Sequence, residues 1–581
     1  MSEPCHTDGI IRRKHSKAGG AAFAVGSFWA TTALSRPMDG ARTAAAVKTC
    51  LLIVLGGLLL IGSSCREEKT ALTTPRLIFN CDGTDLLGNY MFEGRPLSLA
   101  NIHAYVDAYA QTPVTTFMMC SGAHNLYYRS AFTRVIGEAP KGFTPGTYED
   151  VEDVAKYYRS FLNVEREGAD VITAVLQRAQ EHHLETFITY RMNDLHFNAP
   201  DQSPLSYCDF WKAHPEYWVN ENTGWHTEGA FDFAHPEVRA FKMGIIAEQI
   251  DKYGHLIDGF DLDFMRFIVY FKTDEGAKNA PLMTELVRTV KQKIDETAQR
   301  TGRHILLSVR VPVELDFCLQ KGLDVKEWVQ QGLVDMITIG VHWCGHPAMP
   351  VEKFRNALGC DHVPVLATID DGGFWPREPY SHGQRRGMAA HIHAQGGNGL
   401  YLFNHFIGGG YDGASSTGSL SLRTIEPMLH ELGSTEKLRQ RNKIFMLDDG
   451  AASAYGYVSD TPLPLLATKT NRATAALYVA DNVLEDVPQE AFLFLRTDRP
   501  ETLSVSVNEV RLCEQLPEYA TLMDRDSKLS GTETVYAFRV PVSVLKQGDN
   551  WISITSMGDE TRIKRIEIAL KYGDVTTNGY F

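Results

Sequence analysis

Between Arg76 and Leu432 the chain repeats one unit eight times: a short apolar run followed by a stretch of helical periodicity. The strand-like runs are Arg76–Asn80, Val114–Cys120, Leu184–Tyr190, Ile257–Phe264, Ile305–Val309, Asp335–Val341, Val363–Ile369 and Gly399–Phe403. The helical stretches lie near Leu99–Tyr109, Ala169–His182, Pro236–Tyr253, Leu282–Gln299, Val325–Gln331, Val351–Leu358, Gln384–Gln395 and Ile425–Leu432. Parallel strands joined by helical crossovers over roughly 360 residues predict a closed (β/α)8 barrel, the TIM barrel, with enlarged loops. A chain of 581 residues exceeds one ordinary core, so a second, smaller domain is expected.

That domain follows from a change of period. After about Asn442, Leu503, Val505 and Val507 alternate with polar residues, as do Ile552 with Ile554 and Ile566 with Ile568 and Leu570. Period-two runs broken by Asp, Gly and Pro predict an antiparallel β-sandwich. The expected division is 1–74 as leader and linker, 75–441 as barrel and 442–581 as sandwich. No exposed aromatic platform is legible in the sandwich, which reads as a structural cap ahead of a carbohydrate-binding module.

The leader reads as a targeting segment. Cys50–Ile61 is an apolar run too short for a comfortable membrane span, with Lys48 before it and Gly62-Ser63-Ser64-Cys65 after it. The cleavage region resembles that of bacterial lipoprotein signals, with Gly62 where such signals usually carry leucine. The resemblance implies an exported protein of the cell envelope, lipidated at Cys65, that meets a membrane only through this anchor. Met38 is a second candidate start.

The net charge of −14 and the lack of any basic stripe argue against a nucleic-acid partner. Ten cysteines are scattered without a CxxC pair, so neither a zinc ribbon nor a disulfide framework is signalled. No cofactor is expected, and no metal site.

The fourth strand carries the most informative local pattern. Alternation puts Phe260, Leu262 and Phe264 on one face and Asp261 and Asp263 on the other. In a parallel barrel the inward face opens into the active site near the strand's C-terminal end, which would hold the two carboxylates about 6.5 Å apart along the chain. Buried carboxylates require a use or a partner. The plain structural alternative is ion pairing with Arg266 or another arginine.

Polar groups mark the C-terminal ends of the other strands as well. The first strand is followed by Asp82 and Asp85, the second by His124 and Asn125. Arg191, Asn193, Asp194 and His196 follow the third, Arg266 the fourth, Arg310 and Glu314 the fifth. His342 and Trp343 follow the sixth, Asp370 and Asp371 the seventh, Asn404 and His405 the eighth. Any one of these is commonly a surface or structural group, and their convergence is what points to a site. Trp211, Trp218, Trp225, Trp343, Phe374 and Trp375 are candidates for stacking on sugar rings, although most tryptophans simply pack.

Asp258-Gly-Phe-Asp-Leu-Asp-Phe-Met-Arg-Phe267 resembles the DG-x-x-x-D-x-x-R signature of bacterial glycosyl-hydrolase-like barrel proteins, a group often described as similar to family-ten glycosidases. Arg191–His196, Gly322–Trp328 with Gly332–Asp335, and Gly399–Asn404 resemble that group too, over about Pro75 to Leu432. The resemblance implies that Asp263 takes the family's strand-four carboxylate and Arg266 its arginine. The stretch is also similar to the chitinase motif DG-x-D-x-D-x-E, but Met265 stands where that motif carries its acid.

Glycoside hydrolysis needs one carboxyl group to protonate the leaving oxygen and another to attack carbon or activate water. Asp263 is read as nucleophile or base, with Asp261 as a like-charged neighbour that tunes it. Asp370 or Asp371 is the first choice for the partner acid, and Glu314 the second. Arg191, Asn193, Asp194, His196, Arg266, Arg310, His342, Trp343, Asn404 and His405 would bind the carbohydrate. Two alternatives stay open: a carbohydrate-binding lipoprotein without turnover, and a metal-dependent hydrolase using Asp261, Asp263 and histidines such as His196 or His342.

Overall fold

Eight parallel strands close on themselves in sequence order in the computed structural model of the chain. They are β1 (Arg76–Cys81), β2 (Thr116–Cys120), β3 (Glu185–Arg191), β4 (Gly259–Asp263), β5 (Leu306–Pro312), β6 (Met336–Gly340), β7 (Val365–Asp370) and β8 (Gly399–Phe403). The structure describes residues 75–573 other than 93–94, 145–150, 197–202, 225–226, 342–346, 371–379, 404, 406–428, 449–460 and 519–532.

Helices cover the outside of the barrel: α1 (Leu99–Ala110), α2 (Val151–Arg166), α3 (Val171–Glu181), α4 (Pro236–Tyr253), α5 (Gly276–Thr301), α6 (Leu315–Gln320), α7 (Val325–Gln330), α8 (Val351–Leu358) and α9 (His382–Ala394). Their starts are set locally. The Asp170 carboxylate accepts from Thr173 N at 2.9 Å to open α3, and Ser381 with Gln384 forms a capping box at α9. Beyond the sequence expectation the structure has α2 inside the long insertion after β2, α6 ahead of α7, and short helices at Thr84–Leu87, Asp209–Ala213 and Thr435–Leu438. Of the expected helix at 425–432, only 429–432 lie among the described residues, and these are helical.

The register of β3, β4 and β5 stacks the barrel interior in layers. Phe187, Gly259 and Leu306 stand abreast, then Thr189, Asp261 and Ser308, and nearest the C-terminal mouth Arg191, Asp263 and Arg310. The interior thus turns from apolar to charged along the axis. Ile78, Met118, Phe187, Met336, Leu366, Tyr401 and Phe403 form its apolar cluster. The Phe187 ring fits because residue 259 has no side chain, since a Cβ there would lie 2.1 Å from it. Phe260, Leu262 and Phe264 face outward into the core under the helices, the parity that alternation predicts.

Beyond the barrel, β9 (Lys443–Asp448), β10 (Leu465–Ala467), β12 (Glu490–Thr497), β15 (Thr534–Val540) and β17 (Thr561–Lys571) form one antiparallel sheet. A second has the order β11 (Ala473–Val479), β16 (Gly548–Ser556), β13 (Leu503–Val507), β14 (Val510–Arg511). Val505, Ile552, Ile554, Ile566 and Ile568 fill the space between them, as a sandwich requires.

The sandwich packs on α9. Gln384 Nε2 donates to Glu567 Oε1 at 2.7 Å, and Arg386 donates to Asn442 O at 3.1 Å while holding Glu431 at 2.5 Å. At Gly387 the helix comes so close to β9 that a Cβ would lie 1.9 Å from Ile444 O. Among the described residues no helix is long and apolar enough to cross a membrane.

Candidate active site

At the mouth of the barrel, carboxylates and cations interlock. Asp263 is buried; its Oδ1 accepts from Met265 N at 2.8 Å, and Arg310 Nη1 lies 3.2 Å from Oδ2 and 3.5 Å from Oδ1. Arg310 is fully buried, with its guanidinium carbon 3.7 Å from the centre of the Phe403 ring. Alternation places both partners inward on neighbouring strands, so the pair follows from register.

Asp194 is the hub of a second cluster. It accepts from Arg191 Nη1 at 2.9 Å, sits 2.5 Å from His196 Nδ1, and has Arg266 Nε at 3.5 Å. Burial alone would raise its carboxyl, but His196, Arg266 and Arg191 together hold it well below the usual range. Burial lowers His196 against the attraction of Asp194. His196 is the most open member of this cluster, with 33 % of its side chain exposed. Arg191 also pairs with Asp82, whose other oxygen accepts from Thr84 Oγ1.

One layer deeper, Asp261 is fully buried and accepts from Thr189 Oγ1 and Ser308 Oγ, both at 2.7 Å. Burial, with the Asp263 charge added, pushes its carboxyl up to about 6. Asp261 therefore ties β3 to β5 across β4, beneath the groups that face the mouth.

Other candidates lie elsewhere. The Asn193 amide donates to Phe231 O at 3.0 Å and Val269 O at 2.6 Å, and its oxygen accepts from Phe231 N at 3.2 Å, clamping two loops together. Glu314 is half-buried and pairs with Lys353 at 2.9 Å. His405 is buried, its carbonyl accepts from Tyr109 Oη at 3.2 Å, and burial with the nearby Arg385 charge drives its imidazole down to about 3. Asp370 ends β7, but its side chain and Asp371, His342, Trp343 and Asn404 lie outside the described residues, as does Cys65. The stacking role expected of Trp211 is corrected, because its ring is packed against that of the half-buried Trp218; Trp225, Phe374 and Trp375 lie outside the described residues. Trp211 is buried, the two rings stack on each other at 4.3 Å, and the Trp211 indole donates to Gly229 O.

Tyr401 and Phe403, whose ring centres lie 5.3 and 3.7 Å from the Arg310 guanidinium carbon, were not singled out from the sequence. The alternation of β8 is the signal that could have placed the two aromatics inward. Lys242 of α4 carried no such signal. It is fully buried, donating to His124 Nδ1 at 3.0 Å and Tyr190 Oη at 3.1 Å, and burial brings its ammonium down to about 7. Among the described residues no three His, Cys, Asp or Glu side chains converge as metal ligands.

No protein-family model and no curated protein matches the sequence. Solved structures are similar at low identity. An α-L-fucosidase from Bacteroides thetaiotaomicron is 10 % identical with a TM-score of 0.33, covering 86 % of this chain and 94 % of its own. The Lactobacillus casei α-L-fucosidase bound to α-L-fucose is 13 % identical with a TM-score of 0.33, covering 64 % of this chain and 98 % of its own. The Thermus thermophilus α-galactosidase is 13 % identical with a TM-score of 0.33, covering 65 % and 64 %. Likeness at this level bears on neither the activity nor the substrate of this chain.

Proposed function

We propose that this protein is a glycoside hydrolase acting on a poly- or oligosaccharide at the C-terminal mouth of the barrel, with Asp263 as nucleophile or general base. The observation that carries the reading is the position of Asp263. A buried carboxylate at the end of β4 is oriented by Met265 N–H and Arg310 beside Arg191, Arg266 and His196, which supply donors suited to sugar hydroxyls. The partner acid is assigned to Asp370 or Asp371 at the end of β7, because Glu314 is engaged with Lys353.

The test is turnover of a panel of oligosaccharides and aryl glycosides by the wild-type, D263N, D370N and D371N proteins. D263N should lose at least ~10²-fold in rate on every substrate. The acid variant should retain rate on glycosides whose activated leaving group needs no proton. Normal turnover by a folded D263N protein would refute the assignment.

A second reading, carbohydrate binding without turnover, is favoured by one observation: Asp82, Asp194 and Asp263 are each already paired with an arginine. Saturable glycan binding with no product from any of the panel would select it.

We also propose export with lipid attachment at Cys65, on the strength of the apolar run and small residues before it. Mass spectrometry of the mature N-terminus should show an acylated Cys65, and an unmodified chain beginning at Met1 or Met38 would exclude it.

A further inference from the structure

The outer face of the four-stranded sheet carries a group that the barrel chemistry does not use. β16 is an inner strand of that sheet, and its burial alternates so that Ile552 and Ile554 point into the sandwich while Trp551 points out. Trp551 is 52 % exposed. Beside it on β11 stands Ala476, too small to cover an indole. Two residues along β16, Ser553 lies between Thr474 and Ser506 on the flanking strands, with its hydroxyl 3.3 Å from that of Thr474. Arg472 donates to Ser506 Oγ at 3.0 Å. The indole thus stands two residues along β16, about 7 Å, from a cross-strand row of hydroxyls that the Arg472 guanidinium reaches at Ser506.

The size of the apolar feature limits what can occupy this face. A stable protein interface buries about 800 Å² per partner around an apolar core. Of the two aromatic side chains on the outer face of β11 and β16, Tyr478 is engaged, its ring 5.3 Å from that of His391 on α9. One indole bordered by alanine and hydroxyls is too little apolar surface for a protein partner or a second copy. It suits a ligand with one apolar face and a rim of hydroxyl groups, because an aromatic side chain offers a rigid, amphipathic surface at low entropic cost.

We propose that the sandwich is a carbohydrate-binding platform. The C–H face of a pyranose ring stacks on Trp551, and Thr474, Ser553, Ser506 and Arg472 hydrogen-bond the hydroxyls of that sugar or its neighbour. This replaces the expectation of a purely structural cap, and it stands independently of turnover in the barrel.

The test uses the full chain carrying D263N together with R310M, so that binding is read without hydrolysis on a host that keeps its fold. Retention is measured on insoluble cellulose, chitin, xylan and α-glucan, and by affinity electrophoresis in soluble pectin. At least one polysaccharide should retain the host protein, and adding W551A should weaken that retention at least tenfold with an unchanged melting temperature. S553A should weaken it less. Failure of the host to bind any of the five polymers overturns the proposal, as does W551A binding equal to the host. A dimer in sedimentation that W551A dissolves would assign the face to a second copy and overturn it too.

Discussion

Arg310 reaches from β5 to Asp263 on β4 with Nη1 3.2 Å from Oδ2, and the guanidinium is sealed under the Phe403 ring with no exposed surface. The carboxylate read from sequence as the reacting group is therefore also half of a buried ion pair. Its substitution has two separable consequences.

Asp263→Asn should remove turnover and stability together. Leaving Arg310 buried without its anion costs about 3–5 kcal/mol. Adding R310M to D263N removes the orphaned charge and should recover most of the melting temperature without recovering turnover. Recovery of both would make the pair purely structural; thermal denaturation and glycan turnover on the same three proteins decide.

Asp261→Asn tests the deeper carboxyl through pH. The folded carboxyl titrates near 6, against about 3.9 in an unfolded chain. A raised folded value favours the protonated form. The associated stability is present below about pH 4 and lost as pH rises through about 6, a change of up to roughly 3 kcal/mol. The variant lacks that slope. Relative to wild type, D261N should gain stability between pH 4 and pH 6.5 and hold the gain above it. A difference that is flat with pH would count against the raised value.

Lys242 gives the opposite sign. Burial depresses its ammonium to about 7 from an ordinary value near 10.4. The groups facing it are His124, Tyr190, Cys208 and Asp194, none of them a carboxylate within ion-pair distance. Stability from the neutral amine is present above about pH 10 and lost as pH falls through about 7. Lys242→Met should therefore compare better with wild type at pH 6 than at pH 9.5. The reverse order of melting temperatures would mean that the lysine is held charged.

Gly387→Ala separates helix propensity from packing. In an exposed helix the change stabilises by about 1 kcal/mol. Here the new Cβ would meet Ile444 O on β9, so the helix or the sandwich must shift, at a cost of roughly 1–3 kcal/mol. The melting temperature should fall, and limited proteolysis between barrel and sandwich should quicken. A stabilised variant would show that this contact does not hold the domains together.

The sequence by itself determined what depends on local period. Alternation and helical spacing are written over a few residues, so the (β/α)8 order, the later sandwich and the inward parity of Asp261 and Asp263 were all legible. Even the bounds of Pro236–Tyr253 and Gly399–Phe403 agree with the structure. Tertiary structure decided which charge meets which. Asp263 pairs with Arg310 rather than with Arg266, three residues away, because strand register brings residue 310 alongside residue 263. Asn193 clamps the loops at Phe231 and Val269, Trp211 stacks inward on Trp218, and Trp551 stands exposed for the same reason. A side chain's partners are set by segments far along the chain, and no local pattern records which of them will arrive.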